Sequence, residues 1–498
     1  MLTPPRRTFG VLPAVLCGVL GATLMAVRLL VPTPVGMADN GDGVRLLCQL
    51  GADIDGSERF AFARFVYPAP GPDAACEPYR TSQVLQLRLT SWLTDLFGLP
   101  GAVDMHVVIV QDCLLTGLAI GTMAWLLRRS PWWAQVVAAA GLFLVLADAT
   151  FAGYVASAYS EPAAFTGLVA FALAGVAVVS GERPRTAFLI ATAGAALAVS
   201  AKIGMVTLAV PFVLFLATRR LPLGRRRTGV ASFVLAGLGV VAVGGAATWV
   251  YTDEQAGFER VNVANEITIA IMPASGDPAR AAADLGLPRS FGRFSGKGWW
   301  ARDPMHSAPE WPSVRALMTR EHVAGYFLDH PGVAARVLGA GGDDYLRFRP
   351  DDLGSYGATA GEPPRAQECR LCLLPTVSHA FAWSRFAGVL GYWLACLTGA
   401  VVLARRSAAG SPRRGFALVA LVLVGCAVVQ YLTTVLGDGA EVTRHLVVGL
   451  FAASLAPVWL LAALFAARRP KPEPVEPPDE TGGEPAAEPV QEADAAIE

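Results

Sequence analysis

"RRGFALVALVLVGCAVVQYLTTVLGDGAEVTRH", residues 413–445, decides how the rest of the chain is read. Its middle, 416–436, carries no charge, and about 20 such residues cross the roughly 30 Å of a bilayer's hydrocarbon. Two arginines stand before it, and Asp438, Glu441, Arg444 and His445 stand after it. One end of this span is an ordinary basic flank, and the other gathers groups that do chemistry.

Nine more apolar runs fall at about 9–31, 103–127, 132–149, 162–180, 186–201, 203–218, 229–251, 386–404 and 445–467. The chain is 54% hydrophobic and 16% charged, where a soluble domain carries roughly 25% charged residues. The fold class expected is an all-α membrane protein with ten transmembrane helices. Arginine placement orients them. With Arg6 and Arg7 in the cytoplasm, the inside connections hold Arg128-Arg129, Arg183 with Arg185, Arg219-Arg220 with Arg225–Arg227, Arg405-Arg406 with Arg413-Arg414, and Arg468-Arg469. The long segments 32–102 and 252–385 then both fall outside, and both termini inside. The stretch 186–218 tests this map, because two runs of about sixteen residues flanking Lys202 are short at 1.5 Å per residue. One bent span there would place every later arginine outside, so two are kept. The first run is long for a signal-peptide core and lacks a small-x-small cleavage site, so it reads as an uncleaved helix.

The expected division is helices one to seven over 1–251, including the outer loop 32–102, then a small α-rich extracytoplasmic loop domain over 252–385. Helices eight to ten follow over 386–467, and a tail over 468–498. From Pro470 onward nine acids face one lysine. Pro- and Glu-rich, without an aromatic, this tail buries too little to order itself and reads as disordered and cytoplasmic. The chain's formal charge of zero therefore hides a basic body. Lysine occurs only at 202, 297 and 471, among abundant Ala, Gly and Val, a composition of GC-rich bacteria. The cytoplasmic membrane of such a cell is the expected location. The basic residues are membrane flanks, which argues against a nucleic-acid partner. No internal repeat is visible, against a transporter built of two related halves.

In the first outer loop "VLQLRLTSWLTDLFGLP" (84–100) reads as an amphipathic helix, lying in the membrane interface or packed on the bundle. In the second, "PARAAADLGLP" (278–288) reads as a short helix stopped by Gly286 and Pro288, and 313–329 and 331–348 have helical periodicity. Its aromatics Trp299, Trp300, Trp311, Tyr345, Phe348 and Tyr356 suit sugar stacking, a local core or an interfacial belt. Of eight cysteines, Cys17, Cys113, Cys396 and Cys426 lie in spans as small core residues. Cys48, Cys76, Cys369 and Cys372 fall on the oxidising side. Of their three connectivities, Cys48–Cys76 with Cys369–Cys372 is preferred, and the spacing is a poor match to structural zinc.

The outer ends of the spans collect a polar set from distant parts of the chain. "MADNGDGVRL" (37–46) supplies Asp39, Asn40, Asp42 and Arg45, and "YSEP" (159–162) supplies Tyr159 and Glu161. Lys202 and the segment with Glu441, Arg444 and His445 complete it. Each has a plain reading: Asp-Asn-Gly turns, Ser160 and Pro162 starting a helix, Lys202 snorkelling to headgroups. Together, ionisable groups at one membrane face point to a site. Carboxylates beside Lys, Arg and His suit a lipid-phosphate substrate, with the cations on the phosphate and a carboxylate as general base toward an acceptor hydroxyl.

The architecture resembles the GT-C glycosyltransferases. "MADNGDGVRL", "YSEP", "LGLP", "HPGVAARVLGAGGDDYLRFRPDDLGSY" (330–356) and "GDGAEVTRHL" (437–446) are similar to actinobacterial glycan-biosynthesis hexose transferases of the WsfD type. The resemblance implies a polyprenyl-phosphate-sugar donor, a cell-envelope glycan acceptor and an extracytoplasmic site in the lipid bilayer. Its first-loop acid is Asp42 or Asp39, with a lean to Asp42. Asn40, Arg45, Tyr159, Glu161, Lys202, Glu441, Arg444 and His445 are the expected substrate contacts. No cofactor is required, and a divalent metal is neither required nor excluded. Two rival readings stand beside it: a lipid-linked glycan transporter or flippase, and a non-catalytic scaffold for envelope assembly.

Overall fold

The structure is a computed structural model, and the residues described are 11–52, 59–69, 79–219, 230–251 and 253–467. In the N-terminal half the helices are α1 (Val11–Leu30), α2 (Gly43–Cys48), α3 (Gln83–Leu96), α4 (Met105–Leu126), α5 (Trp132–Ala147), α6 (Ala149–Val155), α7 (Glu161–Ser180), α8 (Pro184–Val199), α9 (Ala209–Ala217) and α10 (Val230–Val250). Then come α11 (Asp253–Asn265), α12 (Met272–Ser275), α13 (Pro278–Asp284), α14 (Trp311–Val314), α15 (Arg320–Asp329), α16 (Pro331–Arg347), α17 (Leu373–Ala380), α18 (Arg385–Arg405), α19 (Pro412–Val435), α20 (Val442–His445) and α21 (Val447–Phe465). The expected tail and Cys76 lie outside the described residues.

Each of the ten apolar runs is helical, but the ten are not alike. Among the described residues seven helices are long and apolar enough to cross a membrane: α1, α4, α7, α10, α18, α19 and α21. An eighth candidate is the α5–α6 pair, bent by 65°. The bend has a local cause. Asp148 Oδ1 accepts from Thr150 N at 2.9 Å and its Oδ2 accepts from Leu374 N at 2.9 Å, while Ala149 N donates to Leu371 O at 2.7 Å. A capping carboxylate and a distant loop thus take the hydrogen bonds that a straight helix would use. The expected count of ten full spans is corrected also at 186–218, where α8 and the apolar segment Ile203–Ala217 are both short, as the two sixteen-residue runs suggested. The sixteen residues of α8 reach about 24 Å. It is closed by α3: Ser82 Oγ donates to Leu197 O at 2.7 Å and Thr81 Oγ1 to Ala201 O at 2.6 Å. Lys202 follows in extended backbone.

α7 and α21 are the most enclosed spans and α19 comes next, with α1, α10 and α18 at the periphery. Close approach is built from small residues. A Cβ added to Gly117 of α4 would stand 2.6 Å from Gly18 O of α1, and one on Gly18 would stand 2.8 Å from Gly117 O. Gly117→Leu is therefore expected to pry the two helices apart at a cost of about 1–3 kcal/mol. A lowered melting temperature in detergent checks it; an unchanged one means that α1 does not dock through this face.

The helix expected from "VLQLRLTSWLTDLFGLP" is α3, and its amphipathicity faces the reverse of a soluble helix. Gln83, Leu87, Thr90 and Thr94 are buried, while Leu85, Leu89, Trp92 and Leu96 are exposed. Gln86 Nε2 donates to Asp112 Oδ2 at 3.1 Å and Gln111 Nε2 to Thr90 Oγ1 at 3.2 Å. The polar face docks on α4 and the apolar face is left for lipid, which suits an interfacial position. A two-stranded antiparallel ladder closes the base of this loop, with Val66 opposite Asp104 and Tyr67 opposite Val103.

In the second long segment α13 starts at Asp277, whose side chain caps Arg280 N at 3.0 Å, and ends before Gly286 at φ +68°. The periodic stretch 313–329 is broken, and only its end is α15. Trp299 stacks on His306 at 4.0 Å and meets Trp311 edge-on at 5.6 Å; Tyr345 is buried against Trp393 and Tyr431. These rings form local core, and Trp300 is the exposed one. Cys369 and Cys372 are disulfide-bonded to each other, and Cys48 is disulfide-bonded as well. Cys17, Cys113, Cys396 and Cys426 are free thiols within helices.

Candidate functional site

The segment 37–43 is shaped by its own polar side chains. Asp39 Oδ1 accepts from Gly43 N at 2.9 Å, and Asn40 Oδ1 accepts from Asp42 N at 3.1 Å. Such side-chain turns are what Asp and Asn provide. Gly41 supplies the required positive φ of +116°. The Tyr159 hydroxyl donates to Ala38 O and accepts from Asn40 N, both at 2.9 Å. Backbone bonds from Gly36 N to Ser355 O and Ala38 N to Gly354 O tie the segment to the second long loop.

This turn presents Asp42 to two cations from far along the chain. Asp42 Oδ2 lies 2.6 Å from Arg444 Nη1 and 3.2 Å from Lys202 Nζ. Lys202 Nζ also reaches Glu161 Oε1 at 3.3 Å, and Arg444 Nη2 reaches Glu441 Oε2 at 2.5 Å. Asn40 Nδ2 donates to Glu441 Oε2 at 3.2 Å. The guanidinium of Arg444 sits 5.5 Å from the Tyr159 ring centroid, within cation–π range. Arg444 Nη2 is 3.0 Å from His445 Nε2. A guanidinium only donates, so Nε2 is the acceptor and the ring proton belongs on Nδ1, 2.9 Å from Asp438 Oδ2. Side-chain exposure falls from 33% at Asp42 to 16% at Lys202, 5% at Arg444 and 1% at Glu161. Glu441 is 45% exposed, so the open face of the cluster is the side of Asp42 and Glu441.

The two first-loop acids differ electrostatically. Burial raises the Asp39 carboxyl, offset in part by the amides of Gly43 and Gly41. Its Oδ2 is buried without a hydrogen-bond partner. Burial also acts to raise Asp42, but Arg444 and then Lys202 outweigh it and hold the carboxyl well below its usual range. Burial would lower Lys202, and Glu161 and Asp42 raise it instead. Burial would lower Arg444 too; Asp42 and Glu441 raise it well above its ordinary value.

Of the residues singled out in the sequence, Asp42, Asn40, Tyr159, Glu161, Lys202, Glu441, Arg444 and His445 come together. Asp39 braces the turn from behind. Arg45 does not join: its guanidinium lies 3.7 Å from the Phe258 ring centroid. Three neighbours escaped the sequence reading. Tyr79 hydrogen-bonds Ser160 beside Lys202. Asn262 Nδ2 donates to Asp438 Oδ1 at 2.7 Å. Glu266 is fully buried at the start of a π-helical stretch, Glu266–Ile271, with both carboxylate oxygens unpartnered; burial and then Asp438 raise it well above its usual range. The signal was there for Glu266, as a lone acid among the apolar residues of "VANEITIAI" (263–271). π-Helical turns recur at functional sites.

Among the described residues no three His, Cys, Asp or Glu side chains are grouped to hold a metal ion. No curated protein matches the chain. The model of the YfdI N-terminal transmembrane domain matches it over residues 6–473. A polytopic membrane protein with this match over nearly its whole length belongs to the YfdI N-terminal transmembrane domain family.

Proposed function

We propose that this protein is a GT-C-type membrane glycosyltransferase. It moves a sugar from a polyprenyl-phosphate donor to a cell-envelope glycan or lipid acceptor, outside the bacterial cytoplasmic membrane. The observation that carries the reading is the carboxylate of Asp42, held between Lys202 and Arg444 with its own face open to solvent. The arginine pattern of the sequence favours an outside position for that face.

At rest the two cations hold Asp42 as a weak base. The donor is a phosphodiester, and its phosphate competes for Lys202 and Arg444. As they turn to the phosphate, Asp42 loses the charges that depress its proton affinity and becomes a stronger base as substrate arrives. The acceptor hydroxyl gives its proton to Asp42, and its oxygen attacks the anomeric carbon. The bond from that carbon to the phosphate oxygen breaks with its electron pair on the leaving polyprenyl phosphate. That group gains a second negative charge, which the two cations meet. The displacement inverts the anomeric centre. Glu161 keeps Lys202 in place and Glu441 does the same for Arg444, through the contacts above. Among the described residues no three His, Cys, Asp or Glu side chains are grouped for a metal ion, and no step here passes through one.

A deletion strain tests the reading. Its envelope glycan should lack one sugar, restored by the wild-type gene and by no Asp42→Asn copy, and the purified protein should consume one member of a panel of polyprenyl-phosphate sugars. Complete precursor accumulating inside the cell, with unchanged composition, would replace the transferase by a flippase.

A further inference from the structure

A cavity, about 350 Å³ in volume, opens off the cluster and shares Asn40, Glu441 and Arg444 with it. That size lies at the lower end of the ~300–1,000 Å³ usual for small-molecule sites. Its remaining polar wall comes from the end of α16 and the turn after it, with Asp344, Arg347, Asp351 and Asp352.

The charges in this cavity are unevenly spent. Both cations are taken: Arg347 lies 3.4 Å from Asp344 Oδ1, and Arg444 is held by Asp42 and Glu441. Asp344 also accepts from Thr443 Oγ1 at 3.3 Å. Among the described residues Asp351 and Asp352 have no hydrogen-bond or ion-pair partner, and Arg444 Nε, buried at the cavity's edge, has no acceptor. The cavity therefore offers unused acceptors on Asp351 and Asp352 and an unused buried donor at Arg444 Nε, while both of its cations are already paired with carboxylates. An anion is repelled there. A divalent ion lacks three grouped ligands. What fits is a neutral molecule with many hydroxyls to donate, and Ile269, Pro350 and Leu353 supply an apolar wall for the C–H face of a sugar ring.

The two free acids are held in place from behind. Phe348 turns the chain out of α16 at φ +64°. Gln367 Nε2 donates to Pro350 O at 2.5 Å, and Arg349 Nη1 to Glu368 O at 2.7 Å. A site fixed by its supporting hydrogen bonds binds without first ordering itself.

We infer that this cavity takes a neutral, hydroxyl-rich sugar residue, with Asp351 and Asp352 accepting its hydroxyls and the Asn40 and Arg444 edge turning one hydroxyl toward Asp42. Calling that sugar the acceptor rests on the transferase reading above; its binding does not. The test uses the full chain in lipid nanodiscs with methyl α-D-glucopyranoside, methyl α-L-rhamnopyranoside and methyl β-D-galactopyranoside, observed by saturation-transfer NMR. At least one should bind, and the Asp351→Asn, Asp352→Asn double variant should weaken it about tenfold, as loss of charged hydrogen bonds does. The double variant should melt with the wild type, because both side chains sit on the surface of a turn. Absence of any sugar signal, or a signal indifferent to the double variant, overturns the inference. So does manganese binding that the double variant abolishes while sugar binding persists. Sugar binding without transfer from any polyprenyl-phosphate donor upholds the cavity and removes the transferase.

Discussion

Arg444→Met should cripple the proposed sugar transfer and loosen the end of the bundle that holds the cluster at once. The side chain is 5% exposed, and it joins Asp42 to Glu441 across 399 positions of sequence between its two carboxylate partners. Methionine keeps much of the volume but leaves Glu441 without its cation and Asp42 with Lys202 alone. Hydrogen bonds to charged groups contribute about 1.5–3 kcal/mol each, and Asp42 and Glu441 recover part of that from water, since both remain a third or more exposed. A loss of about 2 kcal/mol in folded stability is the expected net. On the proposed reaction the effect is larger, because there the guanidinium would meet charge that develops only as the phosphate leaves, and removal of such a donor costs about 10²–10³ in rate. Arg444→Lys keeps the charge but not the fork, so it can serve Asp42 or Glu441 and not both; it should restore stability more than rate. Thermal unfolding and initial transfer rates of the three proteins check this. Rates within twofold of wild type in Arg444→Met would remove Arg444 from the reaction.

Much of this was legible in the sequence for a simple reason. A span must be apolar along its length, so runs such as 416–436 announce helices such as α19 whatever packs around them. The clustering of the candidate site residues was legible in the same way. Asp42, Glu161, Lys202 and Arg444 each interrupt or bound an apolar run, and the alternation of runs puts those interruptions at one end. What could not be read depends on contacts distant in sequence. The bend at Asp148 needs Leu371 and Leu374 to take its hydrogen bonds. The fate of Arg45 depends on Phe258, which nothing near Arg45 foretells. α3 shows the limit of periodicity: the pattern gives an amphipathic helix, but only Asp112 and Gln111 on α4 show that its polar side faces inward. The choice between Asp39 and Asp42 was closed to sequence because both sit in one turn, three residues apart. Folding sends one carboxylate back to cap that turn and the other out to the cations.

That division gives the two acids opposite behaviour with pH, and so separates them by experiment. Asp42 has a folded value well below its unfolded one. Its ionisation favours folding above about pH 4, and the contribution is lost as pH falls through the folded value. The melting-temperature gap between wild type and Asp42→Asn should therefore be widest near pH 6 and narrow progressively as the pH falls below about 4. Asp39 has a raised value, so its favourable contribution belongs to the protonated form and is lost as pH rises through that value. Asp39→Asn can keep the cap on Gly43 N through its amide oxygen, so it should be neutral or stabilising at pH 7 and lose that advantage in acid. In transfer the order reverses. Asp42→Asn removes the proposed general base and should cost about 10²–10⁴ in rate, while Asp39→Asn should stay within about tenfold, as it disturbs only the turn. If bound phosphate draws Lys202 and Arg444 away from Asp42, the acid limb of kcat will lie at higher pH than that of kcat/KM, since the first reports the complex and the second the free protein. Coincident limbs would mean that Asp42 keeps its cations throughout, and an Asp42→Asn protein with native rates would pass the base to another group.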